Sequence, residues 1–174
     1  MSYYIPNKFY NSFASIYSNQ SPPTPVESDP FTVKVLNAGT NVQLYKSGNP
    51  DANLFYYKKD GGDWTAYNVG DTIEVNDTIS FSGTTSNFTK NTTNFYRMIV
   101  SNDYIVSGHL DSLINGSNDV AAYSFYGFFN NPAASSYINY NLLDASDLIM
   151  PSGTFGSHVF ETMFFRCANL TASP

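Results

Sequence analysis

A mainly β fold class is what this sequence predicts, and three observations predict it. Aromatic residues are 17% of the 174, with 14 Tyr and 14 Phe, and such side chains suit pleated, half-buried strands. Charged residues are only 13%, against roughly a quarter in ordinary soluble domains, and turn-forming Asn, Ser and Gly fill the gap. Short alternating runs recur between residues 31 and 108 with turn chemistry between them. The full expectation is a β-sandwich (31–108) followed by a connector and the start of stacked repeats (109–174), behind an N-terminal arm and linker (1–30).

The bulk numbers exclude several function classes. A net charge of −6 and a pI near 4.5 argue against nucleic acid, because phosphate binding needs clustered Lys and Arg. One cysteine cannot build an internal disulfide framework or a cysteine-rich zinc site. No apolar run is long enough for a membrane-spanning helix. The opening Met1-Ser2-Tyr3-Tyr4-Ile5-Pro6-Asn7-Lys8 has no basic region followed by an apolar one, so no secretory signal is expected there.

Residues Phe9, Tyr10, Phe13, Ile16 and Tyr17 fall on one apolar stripe of a short helix. A helix of that length is marginal alone and needs a surface to pack on. Pro22, Pro23, Pro25 and Pro30 then stand among polar residues, the composition of a semi-rigid extended linker. The arm, with Tyr3, Tyr4, Phe9, Tyr10, Phe13, Ile16 and Tyr17, is expected to dock on another protein or on sister copies, making the chain a homo-oligomer; the alternative is a terminal segment folding back on its own domain.

Strands follow in order. Phe31–Val35 and Asn41–Tyr45 alternate about Ala38-Gly39-Thr40. Asn53–Lys58 and Trp64–Tyr67 flank Lys59-Asp60-Gly61-Gly62-Asp63, a strong hairpin signal. Thr72–Val75 and Thr78–Phe81 are split by Asn76-Asp77, and Phe95–Val100 and Tyr104–Val106 form an expected last pair around Asn102-Asp103. About eight short strands in about eighty residues suggest an immunoglobulin-like sandwich, with Trp64, the single tryptophan, as its core anchor. Leu110–Ile114 is a short apolar connector.

The C-terminal stretch carries the most specific pattern. Phe160, Met163 and Phe164 stand at i, i+3 and i+4, one face of a short helix. Cys167 is a small buried hydrophobe at the turn out of it, Leu170 starts a strand lining the next rung, and Pro174 closes it. Phe125, Phe128 and Phe129 match Phe160, Met163 and Phe164 at an offset of 35. Pro132 stands where Cys167 does in the other copy, and no Leu-Thr follows, as in an atypical capping repeat. Such a rung cannot bury its apolar face alone, so a neighbour is expected past Pro174, from a longer chain or from a partner.

The wording of Phe160-x-x-Met163-Phe164-x-x-Cys167-x-x-Leu170-Thr171-x-x-Pro174 resembles the repeat signature of BspA-like leucine-rich-repeat surface proteins. The arrangement Phe31-Thr32-x-Lys34, Gly39-Thr40-x-Val42-x-Leu44, Gly61-Gly62-x-Trp64-x-x-Tyr67 and Gly70-Asp71-Thr72-Ile73 is similar to modules that precede such repeats in gut bacteria and their tailed phages. The resemblance implies a leucine-rich-repeat solenoid behind the sandwich, no catalytic residues, and exposure at a surface. A surface module without an export signal fits a virion head fibre, tail fibre or capsid decoration protein, released by lysis and held to other virion proteins by the arm. A bacterial cell-surface adhesin shown without its signal is the runner-up, and an accessory domain of a carbohydrate-active enzyme the third reading.

Candidate chemistry is sparse. His109 and His158 lack neighbouring carboxylates or thiols at metal-ligand spacing; Cys167 lacks a paired histidine motif. Glycosidases need two carboxylates facing one cleft, whereas the only glutamates are Glu27, Glu74 and Glu161 and the aspartates sit mostly in turn-like stretches. Asp60 and Asp63 are read as turn residues rather than Ca²⁺ ligands. The expectation is therefore a non-enzymatic protein without cofactor or metal. Exposed Tyr, Asn and Ser make adaptable contacts, and Tyr137 and Tyr140 are the candidate face for a host surface glycan or protein.

Overall fold

A computed structural model of the chain describes residues 28–48, 54–85, 88, 91–130 and 139–174. Arm residues Tyr3, Tyr4, Phe9, Tyr10, Phe13, Ile16 and Tyr17, and also Pro132 and Tyr137, lie outside the described residues. The fold is mainly β with several sheets and almost no helix, consistent with a β-sandwich.

Eight strands build the sandwich: β1 (Phe31–Val35), β2 (Thr40–Ser47), β3 (Phe55–Lys59), β4 (Thr65–Tyr67), β5 (Ile73–Val75), β6 (Thr78–Gly83), β7 (Phe95–Val100) and β8 (Tyr104–His109). After a 3-10 turn at Leu110–Ile114 come β9 (Asp119–Val120), β10 (Leu142–Ile149) and β11 (Thr154–Phe155). One sheet has the order β10-β8-β1-β6-β3-β4, a second β5-β2-β7, and a third pairs β11 with β9. Alternation places the core: β1 buries Phe31, Val33 and Val35 while Lys34 faces out, as the two-residue period of a strand requires.

The first two sheets meet through aromatic side chains. Phe55 on β3 packs edge-on against Tyr96 on β7, with ring centroids 5.2 Å apart. Tyr67 on β4 crosses the gap: the Leu44 N–H donates to its hydroxyl at 2.9 Å, and the hydroxyl donates to the Asp71 carbonyl at 2.6 Å. Burial pushes that phenol up to about 12. The hairpin across Lys59–Asp63 forms, with Phe55 opposite Tyr67 and Tyr57 opposite Thr65.

Two sequence expectations are corrected here. β7 and β8 do not pair with each other; β7 pairs with β2, and β8 lies between β1 and β10. An immunoglobulin arrangement keeps its last two strands in one sheet, so this sandwich departs from it there. The physical reason is that β8 is shared: β10 adds to it in parallel, tying residues 109–174 to the sandwich. Trp64, expected as the core anchor, is only half-buried; the interior is filled instead by Phe31, Phe55, Phe81 and Tyr67.

The 3-10 turn is a buried peg. Leu110, Leu113 and Ile114 are fully buried, and the Ser112 hydroxyl accepts from the Phe31 N–H at 2.8 Å and donates to the Phe81 carbonyl at 3.1 Å. Just before it, Gly108 has φ 75°, and a Cβ there would collide with the Pro30 carbonyl. Only glycine tolerates both demands.

The expected short helices at Phe125–Phe129 and Phe160–Phe164 are not helices. Both segments are ribbons of successive β-turns, with left-handed residues four apart: Tyr123 and Gly127 in the first, His158, Thr162 and Arg166 in the second. Alternate N–H groups close the turns, as in Phe128 to the Phe125 carbonyl and Met163 to that of Phe160. In the first ribbon the others leave the segment: Tyr123, Phe125, Gly127 and Phe129 donate to the carbonyls of Ser157, Val159, Glu161 and Met163 at 3.0 to 3.2 Å. A helix would consume those donors internally; here the neighbouring ribbon competes for them and wins.

The ribbons lie ring on ring. Phe125 stacks on Phe160 with planes 3° apart, Phe129 on Phe164 at 13° and 5.2 Å, and Tyr123 on His158 at 4.8 Å. Each pair is 35 positions apart, as are Asp119–Thr154 and Val120–Phe155 in the β9–β11 pair. After the second ribbon the chain returns beside β10, where Ala172 bridges Asp144 in parallel. Leu170 is partly buried against the common core.

Candidate functional site

The turn between β3 and β4 borders a candidate site. Asp60 adopts φ 50°, and its carboxylate accepts from the N–H groups of Asn76, Asp77 and Thr78, the Asp77 bond being 2.8 Å. Burial acts to raise its pKa, but those three donors and nearby Lys59 outweigh it and hold the carboxyl below its ordinary value. The turn is thereby clamped to the β5–β6 connection, and Gly62, Asp63 and Trp64 lead from it into β4. They line a shallow depression of about 300 Å³ with Lys58, Ser80 and Pro30. Lys58 and Ser80 face each other across β3 and β6. The floor is firm, since Ser80 and Thr32 share a 2.7 Å hydroxyl contact.

An indole at the edge of a polar depression offers an apolar face beside hydrogen-bonding groups. Asp63 accepts, Lys58 donates and Ser80 does either. That set suits a neutral polyhydroxylated ligand with one apolar face. Sequence reasoning named Trp64 but placed it inside; the signal that could have moved it out is its position directly after a Gly-Gly turn, at the mouth of a hairpin.

The other singled-out residues fall elsewhere. Tyr140 is 54% exposed and stands just before β10, at the opposite end of the first sheet from β3 and β4, which border the Trp64 depression. Phe125, Phe128 and Phe129 are fully buried, Met163 nearly so, and Phe160, Phe164 and Cys167 are partly buried. His158 stacks on Tyr123 and its Nδ1 meets the Glu161 carboxylate. His109 lies 3.5 Å from Asp111. Among the described residues no three His, Cys, Asp or Glu side chains gather as metal ligands.

Cys167 is a structural thiol. Its Sγ points to the Phe129 carbonyl at 3.8 Å, and burial pushes its pKa up to about 12. Because the thiolate is the reactive form, native protein at pH 8 should label with a thiol reagent at least tenfold more slowly than denatured protein. Equal rates would remove this assignment.

Asn139 was not singled out, yet it ties the end of the first ribbon to β8. It is 4% exposed. Its Nδ2 donates to the Tyr104 hydroxyl at 2.9 Å and the Phe129 carbonyl at 2.8 Å, and its Oδ1 accepts from the N–H groups of Asn141 and Leu142. A lone asparagine in an Asn-rich sequence carries no signal of such a role.

Compared with known protein families, characterised proteins and solved structures, the chain matches none. Among the described residues no helix is long and apolar enough to cross a membrane.

Proposed function

We propose that this chain is a non-enzymatic structural and adhesive protein of a tailed-phage virion, in a head or tail fibre or decoration, that contacts a host surface glycan. The single observation that carries the ligand class is the half-exposed Trp64 beside Lys58, Asp63 and Ser80 on a clamped turn. The resemblance of the Phe160–Pro174 wording to BspA-like repeats supports the surface role, and the ring stacks at an offset of 35 support reading the two ribbons as rungs of a leucine-rich-repeat-like solenoid. In this reading the N-terminal arm holds the protein to other virion proteins or sister copies. A bacterial cell-surface adhesin would use the same depression; finding the chain in purified particles separates the two.

Trp64 is the only tryptophan, so its fluorescence reports the depression directly. Titration with polysaccharide extracted from the host surface should shift that emission. Trp64→Ala should weaken binding at least tenfold while leaving stability within about 0.5 kcal/mol, as for a substitution outside the core. Unchanged binding by Trp64→Ala defeats the glycan assignment.

A further inference from the structure

The Trp64 depression continues as a line of polar side chains across the whole first sheet. One step beyond the Tyr57–Thr65 pair of the β3–β4 hairpin stand Lys58 and Trp64, and both border the depression. Lys58 is opposite Ser80 on β6, Ser80 is opposite Thr32 on β1, and Thr32 is opposite Ser107 on β8. Ser107 is in turn opposite Asp147 on β10. Thr32 stands between buried Phe31 and Val33, and Ser80 between buried Ile79 and Phe81, so the two-residue period turns both to the outer face. Strands lie about 4.8 Å apart, and the gaps in the order β10-β8-β1-β6-β3-β4 make the line about 24 Å long.

The chemistry along the line is specific. Trp64 offers a ring at one end, apolar on its faces. Between Lys58 and Asp147 come only the hydroxyls of Ser80, Thr32 and Ser107, each able to donate and accept. The Ser80 and Thr32 hydroxyls share their 2.7 Å contact, and Thr32 also donates to the Pro30 carbonyl at 2.8 Å, so both are held in place. The Ser107 hydroxyl has no hydrogen-bond partner among the described residues, and Asp147 is exposed. Larger side chains flank the line, each two residues along its strand: Lys34 and Ile105 on one side, Tyr56 and His109 on the other. A neutral sugar chain matches this arrangement. Each unit has hydroxyls on its rim and a C–H face, and one pyranose advances the chain by about one interstrand gap. A chain charged on every unit would meet a counter-charge only near the ends. Adjacent strands are rotated by roughly 20–25°, so the line winds, and a single chain can follow it where a flat crystalline face cannot.

We propose that a linear, neutral oligosaccharide lies across the strands on this line, with one unit stacked on Trp64 and the following units hydrogen-bonded by Lys58, Ser80, Thr32 and Ser107. The inference rests on the glycan reading of the Trp64 depression and extends it from one subsite to a track. The depression itself covers only the Trp64 end, as far as Ser80 and Pro30. β10 supplies the far end, so a strand that follows the first ribbon in sequence completes the binding face of the sandwich.

The test is calorimetric titration of the 174-residue chain with size-fractionated fragments of the extracted host polysaccharide, about two and about six units long. The six-unit fragments should bind about tenfold tighter than the two-unit ones. Ser107→Arg, which obstructs the far half of the line, should weaken six-unit binding about tenfold and leave two-unit binding as it was. Trp64→Ala should weaken both. Equal affinity for the two lengths, or six-unit binding that Ser107→Arg leaves intact, overturns the track while the Trp64 assignment stands. Absence of binding by either length removes the glycan reading and the track together. Should Ser107→Arg fail to fold, Asp147→Arg at the exposed end decides: loss of six-unit affinity alone supports the track, and unchanged affinity overturns it.

Discussion

Phe128→Ala should be the most damaging single truncation in the chain, lowering stability by about 3–5 kcal/mol, the usual range for removing a buried phenylalanine. Phe128 is fully buried and packs on Phe31 of β1 at 5.8 Å, on Phe88 at 5.5 Å and on Phe129 at 4.9 Å. Its carbonyl also accepts from the Met98 N–H of β7 at 2.9 Å. It therefore joins the first ribbon to both sheets of the sandwich. The loss is a large share of the about 5–15 kcal/mol that holds a typical protein folded, and corresponds to a fall in melting temperature of about 6–20 °C. One buried cluster runs from Phe31 to Met163, so unfolding should remain a single event. Trp64 emission reports the sandwich and Cys167 accessibility the second ribbon, and both midpoints should drop together. Two separated transitions would show that the ribbons hold themselves up independently of the sandwich.

Asn139→Ala should cost about 3–4 kcal/mol. The substitution leaves the Tyr104 hydroxyl and the Phe129 carbonyl in the interior without this donor, at about 1–3 kcal/mol for each buried group left unpaired. Tyr104 is fully buried, and burial pushes its phenol far up, so ionisation offers it no escape. A cycle with Tyr104→Phe separates this network from general loosening. The two side chains bond at 2.9 Å, so the double variant should be less damaged than the sum of the single ones, by about 0.5–3 kcal/mol. Strict additivity, measured by chemical denaturation, would mean that the shared hydrogen bond contributes nothing.

Strand existence between residues 31 and 108 was legible because alternation is local. Val33 and Val35 face in and Lys34 out for reasons contained within a few residues. The hairpin at Lys59–Asp63 was legible for the same reason, since its Asp-Gly-Gly chemistry selects the turn. Strand partnership was not, because β8 chooses β1 and β10 over its sequence neighbour β7, and that choice is made by surfaces far apart in the chain. Trp64 was misplaced on similar grounds: a tryptophan's burial depends on which side of the hairpin mouth faces the second sheet, and Tyr67 filled the interior place.

The spacing Phe160-x-x-Met163-Phe164 and its copy 35 residues earlier were determined by the sequence alone, and with them which rings would meet. What the backbone does between those rings was decided only in three dimensions. A segment with apolar residues at i, i+3 and i+4 satisfies helix and turn ribbon equally well. The difference lies in where every second N–H goes, and in this protein it goes to a carbonyl 34 residues away, as from Phe125 to Val159 at 3.0 Å. Local propensity cannot register an acceptor that arrives with a second ribbon far along the chain.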